Sequence, residues 1–90
     1  SPIKRGSDAK LVIQTAPVAN CSIKVTLPSG SVSGAQGLKG AKITDSNDYI
    51  TWEWNIGGST KPGTAIIDIT CSKDEQTFLK TLQMEITSNS

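Results

Sequence analysis

The chain has no histidine. It therefore lacks the commonest general base at neutral pH and the commonest protein ligand for transition metals. Serine, threonine and cysteine nucleophiles lose their usual activator with it. Aromatic side chains are scarce: two Trp, one Tyr and one Phe in 90 residues. No apolar run approaches the about 18 residues needed for a membrane-spanning helix. Neither sign of charge dominates, since nine Lys and Arg stand against eight Asp and Glu, for a net charge of +1. Without a basic stripe there is no footprint for a phosphate backbone. The one basic doublet, Lys4-Arg5, reads as charge on an edge strand, beside Pro2. Helical periodicity of useful length is missing as well.

Cysteine is limited to Cys21 and Cys71. They make no C-x-x-C, and without histidine they make no usual zinc site. They are either two free buried thiols or one disulfide. A small, loop-rich domain gains most from the bridge, about 4 kcal/mol for a loop of about fifty residues on the chain-entropy model. A bridge implies an oxidising compartment, and hence a secreted or cell-surface location. The chain opens without methionine and without a signal-type apolar segment. Residues 1–90 are accordingly expected to be a single domain excised from a longer protein.

What is present is period-two alternation. In Tyr49 to Ile56, Ile50, Trp52, Trp54 and Ile56 share one side of an extended chain, and Tyr49, Thr51, Glu53 and Asn55 the other. That pattern marks a strand with one buried face. Both tryptophans lie on that face, and each can bury about 150–250 Å². Cys21 to Leu27 alternates in the same way, with Cys21, Ile23, Val25 and Leu27 inward. Thr64 to Cys71 puts Ala65, Ile67, Ile69 and Cys71 inward. Trp52, Trp54, Ile23, Val25, Ile67 and Ile69 are the expected centre of the core. Asp8 to Thr15 forms a further strand with Ala9, Leu11 and Ile13 on one side. Ala16-Pro17 ends it, and Val18-Ala19-Asn20 forms the connection. The last strand, Phe78 to Ile86, places Phe78, Leu82, Met84 and Ile86 on one face. Lys80 is the exception there, expected at an open end with its stem packed and its head wet.

Turn signals separate these runs. Pro28-Ser29-Gly30 opens the irregular, glycine- and serine-rich stretch Ser29 to Gly40, which reads as mobile or structural, with a short strand near Ala41 to Thr44. Asp45-Ser46-Asn47-Asp48 reads as a tight hairpin turn into the tryptophan strand. Its oxygens resemble a calcium loop, but the spacing is too short and the bidentate Glu is missing. Some seven short strands with turns every 8–12 residues or so indicate an all-β sandwich or barrel. Cys21 begins one strand and Cys71 ends another, both facing inward. A bridge would therefore join adjacent or closely facing strands near one end of the core.

Several motifs together resemble a known family. They are Arg5-Gly6-Ser7; Thr15-Ala16-Pro17 with Cys21-Ser22-Ile23; Gly37-Leu38 with Lys42 and Asp45; Ile50-Thr51-Trp52-Glu53-Trp54; Ile56-Gly57 with Thr60-Lys61-Pro62-Gly63-Thr64; and Ile69-Thr70-Cys71. The pattern resembles bacterial immunoglobulin-like domains of secreted and cell-surface proteins, accessory modules of the Gram-positive type, over residues 3 to 87. Two departures stand out: Asn47-Asp48 replaces a usual Asn-Gly, and Ala19 replaces a glycine found in several members. The resemblance implies an immunoglobulin-like antiparallel β-sandwich of about seven short strands. It also implies a non-catalytic structural or interaction module, a spacer or adhesion domain. This step is analogy, because fold alone does not give function.

The functional expectation is therefore a monomeric extracellular module with no cofactor, metal or catalytic residue. Its partners are the neighbouring domains of the same polypeptide and an unidentified protein or glycan ligand. The alternative is a carbohydrate-binding accessory module. Sugar platforms need exposed aromatics, and with both tryptophans inward only Tyr49 is a candidate. The acids Asp45, Asp48 and Glu53 read as turn and surface groups.

Overall fold

In the computed structural model, which describes residues 2–15 and 19–88, seven strands and one turn of 3-10 helix (Gln36–Leu38) follow one another. The strands are β1 (Ile3–Lys4), β2 (Asp8–Gln14), β3 (Asn20–Thr26), β4 (Lys42–Ile43), β5 (Tyr49–Asn55), β6 (Gly63–Lys73) and β7 (Gln76–Thr87). Among the described residues they form an all-β fold of two sheets, one with strand order β1-β7-β6-β3-β4 and one of β2 and β5. Every pairing is antiparallel except that of β1 beside β7. The expected stop at Ala16-Pro17 and the Val18 part of the connection lie outside the described residues.

Alternation becomes burial where a strand has one face against the other sheet. Along β3 the residues Cys21, Ile23 and Val25 are buried between exposed Ser22 and Lys24. Along β6 the residues Ala65, Ile67, Ile69 and Cys71 are buried. Ile50, Trp52 and Trp54 of β5 face them, with Ile56 just beyond, and Trp52 is 0 % exposed. Neither indole N–H has an acceptor among the described residues. An unpaired buried donor costs about 1–3 kcal/mol, so the rings stabilise through the area they bury rather than through their polar edges.

Cys21 and Cys71 are directly opposite one another on the neighbouring strands β3 and β6, and a disulfide joins them. The bridge lies within one sheet, at the end of the core where β3 begins.

One turn differs from the sequence reading. Asp45 to Asp48 makes no hairpin, because β4 pairs with β3 in the larger sheet while β5 pairs with β2 in the smaller. The turn carries the chain from one sheet to the other. The Asp45 carboxylate accepts the backbone N–H groups of Asn47 (2.8 Å) and Tyr49 (3.0 Å), and Asp48 takes the positive φ of 68°. The stretch from Ser29 to Gly40 includes the 3-10 turn, which buries Leu38. There Gly37 lies so close to β5 that a Cβ would collide with the Glu53 carbonyl.

The last strand needs a larger correction. The register pairs Cys71 with Phe78, Ile69 with Lys80, Ile67 with Leu82 and Ala65 with Met84. Phe78, Leu82 and Met84 therefore do share the inward face of β7. Yet only Ile86 of that face is buried; Leu82 and Met84 are half-buried, and Phe78 is 51 % exposed. The two-stranded sheet is too narrow to cover the fifth and fourth strands of its partner, so β7 overhangs.

Candidate functional site

The residues singled out in the sequence form a core rather than a site. Trp52, Trp54, Ile23, Val25, Ile67, Ile69 and the Cys21–Cys71 bridge belong to one buried cluster. What lies open is the margin of that core, and the two edges of the small sheet show why.

The register of β2 on β5 pairs Ala9 with Trp54, Leu11 with Trp52 and Ile13 with Ile50. Just beyond the strands, Thr15 N–H donates to the Asp48 carbonyl and Ile56 N–H to the Ser7 carbonyl. Alternation of the antiparallel ladder then turns the odd-numbered residues of β2 toward β5 and the even-numbered ones away. On the outer edge of β5, Tyr49, Thr51 and Glu53 point away from β2, and that edge is covered. Tyr49 exchanges backbone and side-chain bonds with Asp45, and the Thr51 carbonyl accepts Lys42 Nζ at 2.9 Å. Gly37 of the 3-10 turn packs on the Glu53 carbonyl.

The outer edge of β2 has no such cover. Among the described residues, the backbone groups of Asp8, Lys10, Val12 and Gln14 find no partner on that side. Below this edge lies the overhanging face of β7. Together they bound a groove with two recesses, of about 570 and 360 Å³. The first is walled by Ile3, Ala9, Ile67 and Met84, and the second by Ile13, Ile69, Phe78 and Lys80. Leu11 and Leu82 line both and stand between them. The Lys80 ammonium has no ion pair or hydrogen bond among the described residues, so the second recess holds one uncompensated cation.

Another recess, on the far side of β5, is bounded by the Ser33–Gly37 loop, Glu53 and Asn55. Two of its polar side chains bond to one another, since Asn55 Nδ2 donates to Asp8 Oδ1 at 3.1 Å and also reaches the Gly6 carbonyl. Among the described residues no group of three or more Cys, Asp or Glu side chains is arranged to hold a metal ion.

Tyr49 is 40 % exposed, but Phe78 is a second exposed aromatic, and Leu79 beside it is 69 % exposed. Sequence reasoning missed both. A signal was present: Phe78-Leu79 and Leu11-Val12-Ile13 are apolar on both faces of their strands, whereas strands with one wet face alternate. No known protein family matches this chain, and a search of curated proteins found no match either.

Proposed function

We propose that the chain is a non-catalytic extracellular structural or interaction module, of the immunoglobulin-like kind found on secreted and surface proteins of bacteria. The observation that carries this reading is the covalent bond between Cys21 and Cys71, which closes a core of fifteen buried apolar residues among the described ones. Such a bond persists in an oxidising compartment and is rare where thiols are kept reduced. The chain also lacks any helix long and apolar enough to cross a membrane among the described residues.

Strand order supports the immunoglobulin-like part. Pairing of β2 with β5, and of β6 with β7 on one side and β3 on the other, parallels the B–E and G–F–C pairings of that architecture. One departure is plain: the bridge joins two strands of the same sheet, whereas antibody domains bridge between sheets. A near-neutral charge and a single core suit a bead set in series with other domains of one polypeptide.

Binding of carbohydrate is the second reading, favoured by the exposure of Tyr49 and Phe78 at the ends of their strands. A glycan array separates the two. The module reading expects no glycan retained above background, together with no free thiol after unfolding of protein made in an oxidising compartment. Retention lost on Tyr49→Ala or Phe78→Ala would replace it with the carbohydrate reading.

A further inference from the structure

We propose that the groove between β2 and β7 captures one extended strand of another polypeptide. The inference rests on the interaction-module reading and gives it a site and a class of partner. The incoming segment pairs its backbone with Asp8, Lys10, Val12 and Gln14, the residues whose N–H and C=O groups face outward from the small sheet. Adding a strand to an open sheet edge takes its affinity from main-chain hydrogen bonds and its specificity from pockets for alternate side chains.

The groove supplies those pockets. Seven residues of β2 offer about 23 Å of edge. The recesses lie on either side of the Leu11–Leu82 ridge. A strand presents every second side chain to one face, so the fitting segment carries apolar residues about four positions apart with a small residue over the ridge. One recess has half-buried Met84 and Leu82 for a floor, and the other has exposed Phe78. Lys80, without a charge partner, calls for a carboxylate at that end of the segment. Opposite charge there is the feature that distinguishes the right strand from any apolar one.

A second copy of this chain is a poorer occupant. Paired edge to edge through β2, each copy would bring its own larger sheet, whose β7 and β1 project past β2 in the same layer. The two overhangs would compete for one space. A lone extended segment meets no such obstacle.

The test uses the intact, disulfide-bonded chain and a phage-displayed library of random dodecapeptides. The expected result is an enriched set that alternates apolar and polar residues and carries an acidic residue near one end. Val12→Pro removes an outward N–H that the β2–β5 ladder does not use, so it keeps the fold and weakens binding at least tenfold. Lys80→Glu, on an exposed side chain, weakens binding several-fold and shifts selection toward basic residues. Failure to enrich any peptide overturns the proposal. So does an enriched set whose binding is indifferent to both variants. A β2-dependent dimer in sedimentation, lost in Val12→Pro, would give the edge to a second copy instead. If only the library fails, while the thiol titration and glycan array give their expected results, the module reading stands and this inference alone falls.

Discussion

The two edges of the small sheet make the most instructive contrast in the molecule. Strands β2 and β5 are equally long, pair residue for residue, and bury one face on the same core. The edge of β5 is closed by three unrelated devices: the Asp45 turn, the Lys42 ammonium and the Gly37 backbone. The edge of β2 has none of them among the described residues. Open edges promote unwanted pairing, and proteins usually blunt them. Here the blunting is confined to charge at one end, where Asp8 and Lys10 lie on the outward face, while Val12 at 48 % exposure leaves the middle apolar. The same asymmetry appears in the larger sheet, where inward residues of β6 are buried and their direct partners on β7 are not. A closed margin and an open one thus lie on opposite sides of a single core.

The sharpest way to probe that contrast is to delete side chains from each part. Trp52→Ala, in the covered part, is expected to cost about 3–5 kcal/mol in denaturant melts. Phe78→Ala, on the overhang, should cost under about 1 kcal/mol because little burial is lost. Equal losses would mean that β7 is covered after all. Reduction of the Cys21–Cys71 bridge comes next and should remove about 2–4 kcal/mol. An unchanged melt in reductant would strip the bridge of its place in the account. Gly37→Ala attacks the closed edge directly, and its collision with the Glu53 carbonyl should destabilise by about 1–3 kcal/mol. The smallest effect belongs to the open edge. Val12→Pro should cost under about 1 kcal/mol, while Ile13→Pro, one residue on, loses a ladder bond and costs about 3 kcal/mol or more.

Much of the fold was legible from alternation. The faces of β3, β5 and β6 follow from Ile23, Val25, Trp52, Trp54, Ile67 and Ile69 recurring at every second position, and strands of that kind must bury the apolar side. Apart from β3 and β6, which the two cysteines brought together, the strand pairing was not legible, since alternation gives a face and leaves the neighbour unspecified. Asp45 to Asp48 has the chemistry of a hairpin turn, yet the same Asx bonding serves a crossing between sheets. Phe78 obeys the inward pattern and still lies open, because its burial depends on how many strands the opposite sheet holds. The groove is a product of that strand count, and no residue of its own announces it. Only the doubly apolar Phe78-Leu79 and Leu11-Val12-Ile13 hinted at it.

Amide hydrogen exchange along β2 tests the open edge most directly. The account predicts fast exchange at Lys10, Val12 and Gln14 and slow exchange at Leu11 and Ile13, alternating residue by residue. Uniform protection from residue 10 to residue 14 would mean that both sides of β2 are already paired, and would contradict it.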